Sequence, residues 1–273
     1  MSDLVKRWLV EPGIKVRLGD IDSASKDHAP GDGSKQAGQA ATAELAEELA
    51  ELQNRLWAEK ERSVLLILQA MDAGGKDGTV KAVCGAVNPM GLRVHSFKAP
   101  TETELDHDFL WRIHQATPEH GELAVFNRSH YEDVLIVRVN KLAPKAVWRG
   151  RYRTIREFER GLAEAGTTVV KVYLHISKEE QAERLRARLD IPSKRWKFNS
   201  EDLAVRAKWD DYRVAYDEVL TETSTAEAPW YVVPADRKWY RNWAITEILV
   251  RTLREMDPRY PEPAEDLSKI VIE

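Results

Sequence analysis

Eleven consecutive residues, Gln69-Ala70-Met71-Asp72-Ala73-Gly74-Gly75-Lys76-Asp77-Gly78-Thr79, combine three glycines with one lysine and two aspartates. They follow a short aliphatic run, SVLLILQA, and precede a helix-like segment, GTVKAVCGAV. A strand, a glycine-rich turn and a helix in that order form the setting of a phosphate-binding loop. Glycines let backbone N–H groups turn towards an anion, and the helix N-terminus adds positive potential. Lys76 can then reach a phosphoryl group in transfer, with Ala73, Gly74, Gly75, Asp77, Gly78 and Thr79 completing the cradle. The match to G-x-x-x-x-G-K-[ST] is incomplete, because Ala70 replaces the first glycine and Asp77 the final hydroxyl residue. A bare strand-to-helix turn with a surface lysine is the other reading. Asp72 lies inside the loop. A carboxylate beside phosphates makes sense if a divalent cation sits between them; the alternative is that it caps the loop backbone.

A second constellation, Phe126-Asn127-Arg128-Ser129-His130-Tyr131-Glu132-Asp133, follows the strand ELAVF. In P-loop enzymes the end of this strand usually offers an aspartate towards magnesium. Here it offers Asn127, a neutral group, and then Arg128, suited to a phosphate contact. Glu132 and Asp133 are candidates for the same site, or ordinary acids of a first helical turn. His130 reads as a structural or hydrogen-bonding group. Two basic tracts stand apart. One is KLAPKAVWRGRYR, with Lys145, Arg149 and Arg153; the other carries Arg184, Arg188, Lys194 and Arg195. Each reads as a solvated face or as a phosphate-binding surface. The second resembles a lid, a helix followed by the charged loop IPSKRWKFNSED and another helix, which would close cations over a phosphate. Trp196 in that loop is the one tryptophan considered for a ligand contact.

The elements that must position these residues alternate. A helix is expected over about 41–62, where Leu45, Leu49, Leu52 and Leu56 recur at helical spacing. Strands are expected at 63–70, 92–97, 122–126, 167–176 and WYVVPA near 230. Thr101 and Glu104 form a capping box predicting a helix to about Gln115, and Ser177 with Glu180 opens another to about Leu189. Helices are also expected from near Pro144, over 200–222 and over 239–255. Strand–helix alternation predicts an α/β fold with a mainly parallel sheet in three α/β/α layers. Residues 1–40 read as an irregular N-terminal arm, 41–257 as one domain with a lid at about 184–208, and 258–273 as a Pro-rich tail wrapping the surface.

Composition narrows the function further. The chain has 273 residues, 43% hydrophobic and 32% charged, which suits a packed core. With 41 basic and 45 acidic residues the net charge is −4, against a nucleic-acid binder. The longest aliphatic run, Val64–Leu68, is too short for a membrane span. The start, MSDLVKRWLVEPG, lacks the apolar stretch of a secretory signal. One cysteine, Cys84, excludes an internal disulfide and a cysteine zinc site and suggests a reducing, cytoplasmic setting.

Residues 63–257 resemble the polyphosphate kinase 2 family, and within it the subgroup accepting nucleoside mono- and diphosphates. The resemblance rests on QAMDAGGKDGT, FNRSHYEDVL, KRWKFNSEDLAVRAKWDDY, HISKEEQAERLRARLD and the ending SKIVIE. The inner Asp72 and the missing Ser/Thr are features of that family's loop, and Asn127-Arg128 of the subgroup. The resemblance implies a thymidylate-kinase-like P-loop fold and transfer of a terminal phosphoryl from inorganic polyphosphate to ADP, with AMP as a second acceptor. Adenine nucleotides, with guanine nucleotides open, would be substrates, Mg²⁺ or Mn²⁺ the cofactor, and a homodimer or homotetramer the assembly. Lys76 would stabilise the transferred phosphoryl. Asp72 would hold the metal directly or through water, with Asp133 a second candidate. Arg128, Arg184, Arg188, Lys194 and Arg195 would clamp phosphates, and Lys145, Arg149 and Arg153 would line a polyphosphate groove. An ATP-dependent nucleoside monophosphate kinase and a non-catalytic phosphate-binding module are the rival readings.

Overall fold

The computed structural model describes residues 3–272; the outermost residues of the expected arm and tail, 1, 2 and 273, lie outside the described residues. Its strands are β1 (Leu9–Val10), β2 (Ser63–Ala70), β3 (Leu92–Ser96), β4 (Leu123–Asn127), β5 (Thr167–His175) and β6 (Trp230–Pro234). Its helices are α1 (Asp3–Lys6), α2 (Lys35–Glu59), α3 (Lys76–Val83), α4 (Glu102–Leu105), α5 (Trp111–His114), α6 (Ile136–Val139), α7 (Lys145–Glu164), α8 (Lys178–Asp190), α9 (Glu201–Ala207), α10 (Trp209–Thr223) and α11 (Lys238–Met256).

The strands form one sheet in the order β1-β6-β5-β2-β4-β3. All neighbours run parallel except β1, which pairs antiparallel with β6. Strand β2 is central, with Val64 opposite Leu123 of β4 and Ser63 opposite Thr167 of β5. It is buried throughout because both faces are covered. Val64, Leu66 and Leu68 join one core with residues of α2, α3 and α11; Leu65 and Ile67 join the other with α7 and α10. The three-layer expectation is met. After β4 the chain crosses to the far side of β2, so the carboxyl end of β2 faces a switch point in strand order, where α/β sheets bind ligands.

Four local expectations are corrected. Helix α2 begins at Lys35, where the Ser34 side chain accepts from Ala37 N–H at 3.1 Å. Its first turns, KQAGQAAT, lack large apolar residues, so periodicity alone misses them. The arm is not merely irregular, because Leu9–Val10 extends the sheet and Trp8 is buried in the core. The Thr101–Glu104 capping box forms, but the helix ends at Leu105. Asp108 Oδ1 then accepts from Leu110 N–H at 2.9 Å, a local turn that competes with helix, and α5 starts afresh. The helix expected over 200–222 is broken at Lys208 into exposed α9 and partly buried α10. Past Pro258 the tail residues whose burial is described are exposed.

Candidate active site

The loop leaves β2 at Ala70 and enters α3 at Lys76. It turns through two left-handed residues, Ala73 at φ 58° and Gly75 at φ 101°. An alanine held there carries strain of roughly 1–3 kcal/mol, which its surroundings must overcome. They do so by tying down every carbonyl of the turn. Ala70 O accepts from Lys76 Nζ (3.1 Å) and Tyr216 Oη (3.2 Å), and Met71 O from Gly74 N–H (2.9 Å). Asp72 O accepts from Gln181 Nε2 at 2.8 Å. Ala73 O and Gly74 O both accept from Arg184 Nη1, at 3.1 and 2.8 Å. Gly75 O accepts from Thr79 N–H at 2.9 Å. The first N–H groups of α3, those of Lys76, Asp77 and Gly78, have no carbonyl behind them in the helix and can serve an anion.

This arrangement corrects two expected phosphate contacts. Arg184 is no free clamp. Its Nε donates to Glu180 (2.6 Å) and its Nη2 to the carbonyls of Ala235 (2.6 Å) and Asp236 (3.3 Å), so each of its nitrogens is engaged. It braces the loop from behind. Thr79 is buried, with its hydroxyl on Gly75 O at 3.1 Å, and serves the helix rather than a ligand. Gly74 packs on β2, where a Cβ would stand 2.4 Å from that of Ala70.

Lys76, Asp72, Arg128 and Glu132 are brought together. Arg128 adopts φ 64° and gives Nη2 to Asp72 Oδ1 at 2.9 Å. Burial pulls the Lys76 ammonium below its ordinary pKa, and the Arg128 charge adds to that, against the opposing pull of Asp72, Glu132 and Asp77. Burial raises the Glu132 carboxyl, although Arg128 and Lys76 draw it down. Burial would lower the Arg128 guanidinium, yet Glu132 and Asp72 hold it above its usual value. The cluster pairs charges of both signs, a balance that a bound polyanion would change.

Asp77 and Asn127 also meet, Asn127 Nδ2 donating to Asp77 Oδ1 at 2.9 Å. Lys197 Nζ reaches the other oxygen of Asp77 at 3.2 Å, joining the lid loop to the first turn of α3. Burial alone would raise Asp77; its bonds to Asn127 and Lys197 hold it below the usual carboxylate value.

Asp133 is a correction. Its carboxylate accepts from Arg151 Nη1 at 3.2 Å, and Arg112 and His130 are its other electrostatic neighbours. None of Asp72, Lys76, Arg128 and Glu132 is among those neighbours, so nothing joins Asp133 to the Asp72 group as a second metal ligand. His130 is structural as expected, fully buried with Nε2 3.3 Å from Glu159 Oε1.

In the lid, Arg188 donates to Asp202 Oδ2 (2.6 Å) and to the Lys197 carbonyl (3.2 Å). Arg195 donates to the Leu189 carbonyl at 2.9 Å, while Lys194 and Trp196 are exposed. Lys145, Arg149 and Arg153 occupy the first turns of α7. Since α7 runs back to the start of β5, those turns stand at the same sheet edge as the loop. Arg149 lies 3.4 Å from Glu218, and Lys145 and Arg153 are exposed.

Several site residues escape sequence reasoning. Gln181 and Tyr216 reach the loop from α8 and α10, and their types signal nothing alone. Asp202 interacts with Asp72, Arg188 and Arg128, and burial raises its carboxyl. Arg241 of α11 is buried against Gly75 and donates through Nε and Nη2 to Asn242 Oδ1 (3.1 and 2.7 Å). Burial, then the Arg184 charge, pulls it down to about 10.

Comparison with known proteins agrees with this geometry. Residues 32–261 match the family described as Polyphosphate kinase 2 (PPK2). The AMP/ADP-polyphosphate phosphotransferase of Meiothermus ruber is 54% identical over 98% of this chain and 100% of that protein. The ADP-polyphosphate phosphotransferase of Rhodopseudomonas palustris is 47% identical, covering 79% of each. The crystal structure of Polyphosphate Kinase 2 from Arthrobacter aurescens superposes with a TM-score of 0.93 at 45% identity, over 98% of this chain and 94% of that one. A match that begins ahead of α2 and runs past α11, with relatives this similar over nearly their whole length, makes this chain a member of the polyphosphate kinase 2 family.

Proposed function

We propose that the chain transfers the terminal phosphoryl group of inorganic polyphosphate to ADP, giving ATP, and to AMP, giving ADP. The observation that carries the reading is that Lys76, at the open N-terminus of α3, stands among Arg128, Asp72 and Glu132 beyond β2. The names of the relatives from Meiothermus ruber and Rhodopseudomonas palustris support the donor and both acceptors.

An oxygen of the acceptor's terminal phosphate attacks the terminal phosphorus of the polyphosphate in line. The new P–O bond forms as the bond to the chain's bridging oxygen breaks, and the shortened chain leaves as an anion. The acceptor oxygen is already ionised at neutral pH, so no general base is required. The obstacle is repulsion between two polyanions, which positioning and fixed positive charge overcome. Lys76 stabilises the moving phosphoryl group, Arg128 a neighbouring phosphate, and the N–H groups of Lys76, Asp77 and Gly78 the chain that is left. Lys194, Arg195 and the first turns of α7 supply outer charge for the donor.

The residues fit a magnesium or manganese ion. Arg128 engages Asp72 Oδ1, which leaves Oδ2 as a hard oxygen donor beside the phosphate space. Among the described residues no group of three or more His, Cys, Asp or Glu could hold a metal ion. That suits a cation held by one carboxylate, water and substrate phosphates. Bound there, it would neutralise phosphate charge. The reading also includes a homodimer or homotetramer and a cytoplasmic setting, the latter supported by the lone cysteine. Among the described residues no helix is long and apolar enough to cross a membrane.

The test is a luciferase assay with Mg²⁺, polyphosphate and ADP or AMP, with Lys76→Ala protein as the control for contaminating kinases. ATP formed from ADP only when polyphosphate is present supports the reading. Phosphorylation of AMP by ATP without polyphosphate would favour a nucleoside monophosphate kinase instead.

A further inference from the structure

Gln181 is fully buried on α8, and both ends of its carboxamide are in use. Its Nε2 donates to the Asp72 carbonyl at 2.8 Å. Its Oε1 accepts from Arg206 Nη1 at 3.0 Å, and the same nitrogen donates to the Lys178 carbonyl at 2.6 Å. Arg206 belongs to α9, in the second half of the lid. The same helix makes a second contact with α8, Asp202 Oδ2 accepting from Arg188 at 2.6 Å. One buried amide therefore touches the phosphate loop on one side and the lid helix on the other.

The two bonds are not independent. If α9 moves away, Gln181 Oε1 is left without its donor in the protein interior, where an unpaired acceptor is costly. The side chain can recover an acceptor role only by turning, and turning withdraws its N–H from Asp72. The Asp72 carbonyl begins the strained stretch through Ala73, so its release lets that stretch relax. Arg184, one turn further along α8, holds the next two carbonyls, so α8 is the common support.

We infer that Gln181 is a positioning residue that couples the seating of lid helix α9 to the conformation of the phosphate loop. The inference rests on the loop being the phosphate site, as proposed above. It goes beyond that reading by making loop order depend on α9, which reaches the loop through this buried amide as well as through the charge of Asp202.

Three variants separate the two ends. Gln181→Glu keeps an acceptor for Arg206 and removes the N–H that binds Asp72. Arg206→Met removes the lid end, together with the bond to the Lys178 carbonyl, and leaves the bond to Asp72 in place. The double variant tests whether the two act as one. Hydrogen–deuterium exchange is followed without substrates in a peptide spanning 69–84. Turnover of ADP with polyphosphate is measured in parallel. Both single variants are expected to speed exchange in the loop peptide and lower kcat about tenfold, with KM for ADP within about twofold. The double variant should be no worse than the more impaired single variant. Arg206→Met with wild-type exchange in the loop peptide would overturn the coupling, as would additive losses in the double variant. Should Gln181→Glu not fold, Arg206→Met decides by itself. Exchange is read without the reaction, so a failed coupling is distinct from a wild-type enzyme that shows no polyphosphate-dependent transfer.

Discussion

The guanidinium of Arg241 occupies the space in which a side chain on Gly75 would begin. A Cβ built on Gly75 falls 2.2 Å from Arg241 Nη1, and the backbone there has φ 101°. Gly75 is thus required by its dihedral angle, and a side chain there would also have to displace the end of an arginine that arrives from α11. Gly75→Ala should fold with a displaced loop and lose about 10²-fold in kcat, the scale of a misplacement near 1 Å. Steady-state kinetics with polyphosphate and ADP measures this. Wild-type turnover in that variant would show that the loop tolerates the shift.

Lys76 should set an alkaline limit on activity. Burial and the Arg128 charge lower its pKa from the ordinary lysine value. The charged form is the one that stabilises the moving phosphoryl, so activity should fall as pH rises through a value below that of a free lysine. The limb is to be read in kcat/KM, which reports the free enzyme. Lys76→Ala should abolish the limb along with about 10²–10³-fold of turnover. A limb of unchanged position in a variant that still turns over would assign it elsewhere.

Asp72 and Asp133 make opposite predictions. Asp72→Asn should raise the magnesium concentration for half-maximal rate about tenfold or more, since it weakens a donor beside the phosphates. Asp133→Asn should leave the magnesium titration in place, because the groups around that carboxylate are Arg151, Arg112 and His130 rather than Lys76, Arg128 and Glu132. Paired metal titrations of the two variants make the comparison. Equal shifts would put Asp133 back beside the metal.

The buried pair Lys171–Glu159 concerns stability. Lys171 Nζ donates to Glu159 Oε2 at 2.6 Å, to the Thr223 carbonyl at 2.6 Å and to Tyr131 Oη at 2.9 Å. Lys171→Met leaves the Glu159 carboxylate without its cation and should destabilise by about 3–5 kcal/mol. Lys171→Met/Glu159→Gln should lose less than the single variant, as denaturant titration would show. A double variant no better than the single one would mean that packing, not the stranded charge, sets the loss.

The loop and the Asn127–Asp133 segment were legible in the sequence because each is contiguous and its chemistry lies in its own residues. The sheet was legible because β2, β4, β5 and β6 are short apolar runs separated by helices. Residues that act across the fold were not. Arg184 was visible as a cation, but its role inverted, since its nitrogens go to Glu180 and to backbone carbonyls of the loop and of Ala235 and Asp236. Gln181 and Asp202 lie in segments that carry the family resemblance, yet their own types, like those of Tyr216 and Arg241, gave no role, because their importance comes from what tertiary packing sets opposite them. Asp133 misled for the same reason: adjacency to Glu132 does not place two carboxylates on one side of a short 3-10 turn.

The placement of those supports also has a consequence in time. Ribosomes release the loop at residues 70–76, but its donors lie at Gln181, Arg184 and Tyr216, and its arginine wedge at Arg241. Strand β2 itself waits for β5, about a hundred residues later, before it is flanked on both sides. A growing chain therefore carries the phosphate-binding sequence long before it has the means to hold its shape. The finished anion site comes into being late, when α8, α10 and α11 have been made and have packed.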